Sequence, residues 1–344
     1  MKSTGRNRVA EAVHQRRGLV NDAICERLPI EHPERLYEAS RYLLDAGGKR
    51  LRPTVFLLTA EALTGVEPTS DDYRKFGPEE IDIMSGAVSV EVIQSFTLIH
   101  DDIMDDDDLR RGVPAVHREY DLDTAILAGD TLYSKAFECM LDTGAPASRS
   151  VQALDELATT CTEICEGQSL DVEFEQRGDV STSEYLEMVE LKTAVLYAAS
   201  ASIPAILLGA ETETIEALHD YGLDVGTAFQ IQDDLLDLTI PSEKLGKQRG
   251  SDLVEGKRTL ISLHAREQGV DVDSLVSTES VEAVSESEID EAVERLEAVG
   301  SIEYARNVAR DLISEGKDRL SVLPESEARL VLEDIADFLI EREY

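Results

Sequence analysis

Residues 101–105 read Asp101-Asp102-Ile103-Met104-Asp105, and residues 229–237 read Phe229-Gln230-Ile231-Gln232-Asp233-Asp234-Leu235-Leu236-Asp237. Each stretch carries the pattern DDxxD. Apolar residues recur at helical spacing around both: Val88, Val92, Phe96 and Ile99 before the first, and Leu223, Ala228, Ile231 and Leu235 through the second. On a helix, Asp101 shares a face with Asp105, and Asp233 with Asp237. Carboxylates crowded in this way repel one another and call for a cation. Hard oxygen donors suit Mg²⁺, which takes one or two carboxylates and completes its shell from phosphates and water. Two such clusters facing each other would hold a diphosphate between metal ions.

Outward from these stretches, helix-period patterns dominate. No strands alternate with helices, and no βαβ fingerprint is present. The chain is expected to form one all-α domain over residues 1–344. Pro78-Glu79-Glu80 predicts a helix start, with proline at the first position and acids in the first turn. Loops are expected at Ala46-Gly47-Gly48, Gly112 to Pro114, Asp142 to Ala145, and Pro241 to Gly250. The acidic, serine-rich stretch from Gly269 to Gly300 reads as a solvated loop followed by a short helix. Thr193 to Ala210 is uncharged and just long enough to span a membrane. Its alanines and serines, with Pro204 and Gly209, favour a buried core helix and no membrane insertion.

Acidic residues number 71 against 33 basic ones, for a formal charge of -38. The charge is spread along the chain, which describes a self-repelling, solvated surface that needs salt. This predicts a halophile's protein and excludes nucleic acid as a partner, since phosphate contacts need a basic face. Lysine is scarce, with 9 against 24 arginines. Four of the nine, Lys49, Lys192, Lys247 and Lys257, fall in stretches suited to phosphate, where an ammonium acts as a point charge. Cys25, Cys139, Cys161 and Cys165 lack paired metal-knuckle spacing and read as buried thiols. The polar N-terminus has no signal-peptide core, so a cytoplasmic location is expected.

The first cluster is followed by Arg110, Arg111 and a glycine turn, so guanidinium forks sit beside metal-binding carboxylates. Gly47-Gly48-Lys49-Arg50-Leu51-Arg52-Pro53 adds cations after a flexible turn. The order GGKRLRP, DDIMD with RRG, GQSLD, LKTA, FQIQDDLLD and GKRT, over roughly residues 40 to 260, closely resembles the polyprenyl synthase family, the trans-isoprenyl diphosphate synthases.

The resemblance implies an isoprenoid-synthase fold, with helices around a deep apolar cavity, assembled as a homodimer. It implies a Mg²⁺-dependent prenyltransferase acting on isopentenyl diphosphate and an allylic diphosphate, with roughly three Mg²⁺ per active site. Asp101, Asp102, Asp105, Asp233 and Asp237 would bind the metal. Arg110, Lys192, Thr193, Gln230, Lys247 and Lys257 would contact the allylic diphosphate or the nascent cation. Lys49, Arg52, Gln94 and Arg111 would hold isopentenyl diphosphate. Gln94 replaces a histidine that many members carry, and it too can donate a hydrogen bond. Gln168 and Asp171 would line the cavity. In the resembling family an aromatic five residues before the cluster forms the cavity floor. A second aromatic one residue later, or an insertion in the cluster, marks C15 enzymes. Phe96 followed by Thr97 therefore predicts a C20 product, geranylgeranyl diphosphate, with C15 or C25 as alternatives.

Asp106, Asp107 and Asp108 read as solvated rather than ligating. His100 and His117 read as structural hydrogen-bond partners, and Arg50 and Arg258 as surface or supporting residues. A calcium-binding acidic module would need alternating ligands and a loop glycine, which are missing after Asp101. A terpene cyclase normally carries a different second motif. A catalytically silent partner subunit would be expected to lose a cluster or the lysines, and this chain retains them.

Overall fold

The computed structural model describes residues 2–65, 72–241, 248–278 and 283–341. Helices account for nearly all regular structure among them, as the periodicity predicts. The chain folds as two compact units, each assembled from several segments. One comprises Met1–Cys161, Leu196–His219 and Leu320–Asp334, and the other Thr162–Val195, Asp220–Arg319 and Ile335–Tyr344.

The first unit contains α1 (Lys2–Arg27), α2 (Glu34–Asp45), α3 (Leu51–Thr64), α4 (Ile83–Met104), α5 (Val116–Glu119) and α6 (Leu122–Leu141). A two-residue ladder, β1 (Leu109–Arg110) with β2 (Val113–Pro114), closes a small hairpin between α4 and α5. Helix α4 is apolar through most of its length and packs along α6. Small residues make that approach possible. Ser85 and Ser89 donate hydroxyl hydrogen bonds to the carbonyls of Cys139 and Ala136, at 2.6 and 2.8 Å. A Cβ on Gly129 would lie 2.3 Å from His100 Nε2, so only glycine admits the imidazole there. Between α1 and α3, Arg16 grips Glu61 through two hydrogen bonds of 3.0 and 2.6 Å, both side chains being buried. The Tyr73 hydroxyl also donates to Glu61.

The second unit contains α8 (Thr182–Val189), a π-turn over Glu190–Ala194, α11 (Ser251–Val254), α12 (Leu260–Glu267), α13 (Glu286–Ala298) and α14 (Ser301–Arg319). Ser181, Thr259 and Ser285 open α8, α12 and α13 with reciprocal capping boxes. Four further helices, α7 (Ala147–Gln176), α9 (Val195–Leu208), α10 (Thr212–Thr239) and α15 (Glu327–Ile340), supply residues to both units. The uncharged stretch forms α9 and is buried, Pro204 included. Helices over Ile83–Met104 and Thr182–Leu208 are long and apolar enough to cross a membrane, yet most of each lies buried in the fold.

Two expectations are corrected. Helix α4 starts at Ile83, not at Pro78. Asp82 caps it by accepting from the Ser85 amide, while residues 77–80 form a turn closed by the Phe76–Ile81 bridge. A side-chain cap with an apolar run behind it outweighs the proline signal. Cys25 and Cys165 are exposed, and only Cys139 and Cys161 are buried. Of the two readings for Arg50 the supporting one holds, since it is buried and pairs with Glu91. The helix expected near the end of the acidic 269–300 stretch is α13.

The charge of -38 leads to a direct expectation. The thermal midpoint should climb as NaCl rises from ~0.1 M to ~1 M, where the Debye length falls from about 10 Å to about 3 Å. A midpoint indifferent to salt would contradict the halophile reading.

Candidate active site

Helix α4 ends at Met104, with Asp105 as its C-cap, so the first cluster fills the final turn. The carbonyl end of a helix is negative, which makes carboxylates there unfavourable until a cation arrives. The three do not have equal access. Asp105 is exposed and Asp101 half-buried, whereas Asp102 is fully buried. Asp102 Oδ1 accepts from Arg110 Nε at 2.5 Å, and its Oδ2 has no hydrogen-bond partner. Burial pushes the Asp102 carboxyl up to about 6 in spite of the stabilising Arg110 guanidinium.

The hairpin carries Arg110 and Arg111 to this helix end. Arg110 also reaches Asp107 at 2.8 Å. Asp106 and Asp108 are exposed and pair with Arg118 at 2.7 and 2.8 Å, in keeping with a solvated role. Arg50, Asp106 and Arg111 have φ values of 54°, 56° and 54°. Such left-handed backbone costs about 1–3 kcal/mol per residue and tends to gather at functional sites.

Arg111 Nη1 donates to the carbonyls of Leu43, at 2.8 Å, and Gly47. Its other nitrogen lies 3.6 Å from Glu91, which also pairs with buried Arg50. A Cβ on Gly48 would sit 3.2 Å from both guanidiniums. The glycine turn thus lets two arginines stack beneath the backbone before exposed Lys49. Arg52 lies over the Tyr197 ring, 4.2 Å from its centre, with its buried Nε unpartnered. Gln94, Phe96 and Thr97 are half-buried on α4. The Phe96 ring centre is 4.9 Å from that of His100 and 5.2 Å from that of Tyr133. His100 Nε2 meets the Ile126 carbonyl at 3.3 Å, as a structural hydrogen bond should. His117 does not conform: both ring nitrogens are buried without a hydrogen-bond partner.

In the second unit, the other cluster lies in the last two turns of α10, again at the negative end of a helix. Asp233 is half-buried, and Asp234 and Asp237 are buried. Asp234 Oδ2 accepts from the Tyr185 hydroxyl at 2.5 Å, and its Oδ1 from Gln230 Nε2 at 3.0 Å. Burial drives the Asp234 carboxyl upward, and the charge of Asp252 adds to the effect. Thr193 Oγ1 donates to Gln230 Oε1 at 3.2 Å. Lys192 Nζ pairs with Asp171 Oδ2 at 2.6 Å, so Asp171 holds a site lysine. Asp237 accepts from Ser251 Oγ at 2.9 Å and from the Asp252 amide at 3.2 Å. It thereby anchors α11, just ahead of exposed Lys257. Arg258 donates to the Arg177 carbonyl, a supporting contact. Lys247 lies outside the described residues.

Among the described residues, no three His, Cys, Asp or Glu side chains form a ready-made metal cage. Mg²⁺ needs only one or two carboxylates when phosphate and water supply the rest. Asp101, Asp105 and Asp233 are the more accessible donors. Asp101 and Asp105 stand at a helix end that favours a cation, and Asp233 lies within two turns of another. The donor chemistry fits.

Sequence reading overlooked Tyr185 and Gly226, and took in Gly167 only as part of GQSLD. A Cβ on Gly167 would lie 2.3 Å from the Lys192 nitrogen, and one on Gly226 would lie 2.6 Å from Ala194 Cα. A tyrosine on the same face as Met188 and Val189 is a signal that a buried hydroxyl needs a partner. The identity of that partner is not a local property.

Comparison with known proteins agrees with the motifs. The family model described as "Polyprenyl synthetase" matches residues 33–296. A geranylfarnesyl diphosphate synthase from Natronomonas pharaonis is 72% identical, covering 99% of this chain and 100% of that protein. A geranylgeranyl diphosphate synthase from Methanosarcina mazei is 50% identical, covering 98% of each. The solved geranylgeranyl pyrophosphate synthetase from Geoglobus acetivorans superposes with a TM-score of 0.85 at 45% identity, over 96% of this chain and 99% of that one. With an all-α fold, two acidic helix ends and a family match over most of its length, the chain belongs to the polyprenyl synthetase family.

Proposed function

We propose that the chain condenses isopentenyl diphosphate with dimethylallyl, geranyl and farnesyl diphosphates, forming mainly geranylgeranyl diphosphate. The observation that carries this reading is the placement of accessible carboxylates in the final turns of α4 and α10, each backed by buried partners. Bound Mg²⁺ would act as a Lewis acid on the departing diphosphate. Asp101, Asp105 and Asp233 would hold it, and Arg110, Lys192 and Lys257 would spread the charge of the leaving group. The Thr193 and Gln230 oxygens offer partial negative charge to the allylic cation. Arg52, Arg111 and Lys49 hold isopentenyl diphosphate with its double bond free to attack. No side chain stands out as a base, so the released diphosphate takes the proton.

We read the working form as a cytoplasmic homodimer. Leu122, Ile126, Leu127 and Tyr133 leave an exposed apolar strip on α6 suited to a second copy. Incubating purified protein in high salt and Mg²⁺ with labelled isopentenyl diphosphate and each allylic primer tests the activity. Absence of any prenyl product would refute it.

Chain length has a second reading. The 72% identity to a geranylfarnesyl synthase favours C25, whereas Phe96 followed by Thr97 favours C20. Phe96→Ser is expected to move the main product to C25 or beyond, and Thr97→Phe to shorten it toward C15. Mass analysis of the products decides. Unchanged lengths in Phe96→Ser would reduce Phe96 to packing against His100 and Tyr133.

A further inference from the structure

We infer that Tyr185 is a positioning residue for prenyl transfer, acting through Asp234 and Gln230 on Thr193. The inference rests on the prenyltransferase reading above. Tyr185 is 2% exposed, so it touches no substrate. Its hydroxyl donates to Asp234 Oδ2 at 2.5 Å, and Gln230 Nε2 donates to Asp234 Oδ1 at 3.0 Å. An amide has one donating end and one accepting end. With the donating end committed to a carboxylate, Gln230 Oε1 is left facing Thr193 Oγ1, at 3.2 Å. Turning the amide over would set its oxygen against the Asp234 oxygen that it now donates to, and would leave Thr193 facing an NH₂ group, so the observed orientation is the one that pairs both ends.

The Thr193 hydroxyl has a single hydrogen, and this geometry assigns it to Gln230. The lone pairs of Oγ1 then point away from Gln230 and are available to a positive centre. The backbone beneath Thr193 is equally constrained. It belongs to the π-turn Glu190–Ala194, against which Gly167 and Gly226 bring neighbouring helices into direct backbone contact. The backbone is held by packing, so the hydroxyl rotor is the remaining freedom at Thr193. The Tyr185–Asp234–Gln230 chain removes that freedom. This is electrostatic preorganisation supplied by a buried chain that never meets substrate.

Tyr185→Phe deletes one oxygen and keeps the ring, so it probes the chain with little loss of packing. The expected result is a fall in kcat of about 10-fold to 100-fold, the range typical of supporting partners. The KM for isopentenyl diphosphate should stay unchanged. The deciding readout is a double-mutant cycle with Gln230→Leu. If Tyr185 acts through Gln230, adding Tyr185→Phe to Gln230→Leu lowers kcat by less than ~2-fold. An equal fractional loss in both backgrounds would overturn the inference, because a merely structural tyrosine acts independently of Gln230. So would a wild-type kcat in Tyr185→Phe. Should Tyr185→Phe melt far below the wild type, Asp234→Asn enters the same chain and must show the same non-additivity. Inactive wild-type protein would instead remove the prenyltransferase reading, and this inference with it.

Discussion

Asp101→Ala and Asp233→Ala are each expected to lower kcat by about 10³-fold while leaving the protein folded. Asp101 occupies the last turn of α4 and Asp233 lies near the end of α10. Both are half-buried, unlike Asp102, Asp234 and Asp237. Removing either takes away a hard oxygen donor and none of the hydrogen bonds that secure Asp102, Asp234 or Asp237. It also relieves repulsion at the negative end of a helix, so the metal-free protein should melt no lower than the wild type. Steady-state assays at saturating Mg²⁺, together with thermal melts, separate the two effects. Turnover near the wild-type value in either variant would mean that the two clusters do not serve one reaction.

The largest stability effect is expected at Glu61→Gln. Glu61 and Arg16 have side-chain exposures of 1% and 3%, and Tyr73 donates its hydroxyl to the same carboxylate. Neutralising Glu61 strands a buried guanidinium, and breaking a buried pair from one side costs about 3–5 kcal/mol. Denaturant melts in high salt should register that loss. The double variant Arg16→Met with Glu61→Leu removes both charges and should recover most of it, because the penalty belongs to the stranded partner. A Glu61→Gln loss below ~1 kcal/mol would show that water or a rearrangement rescues Arg16.

Much of the fold was legible because helices are local. The i, i+4 spacing of Asp101 with Asp105, the apolar rows before them, and the glycine turn ahead of Lys49 all express geometry within a few residues. Where local signals competed, the reading failed. Pro78 with two following glutamates resembles a helix start, yet Asp82 offers a side-chain cap directly before a long apolar run. Cys25 and His117 were misread for another reason. Burial and hydrogen bonding depend on what packs against a residue, and periodicity carries no record of that.

The same division holds at the site. By itself, the sequence determined which chemical groups are present and which share a helix face, because both follow from residue type and helical pitch. It therefore determined the all-α class and the carboxylate-and-cation chemistry, while the family was legible only through the resemblance of its ordered motifs. Only the tertiary structure decided which carboxylates are buried and which stay accessible. Arg110 comes off the hairpin to bury Asp102, Tyr185 crosses from another helix to bury Asp234, and the start of α11 occupies both oxygens of Asp237. These partners lie 8 to 49 positions away in the chain. The physical reason is that desolvation and hydrogen bonding are set by whatever groups meet in space, and six similar aspartates acquire different roles only once those meetings are made.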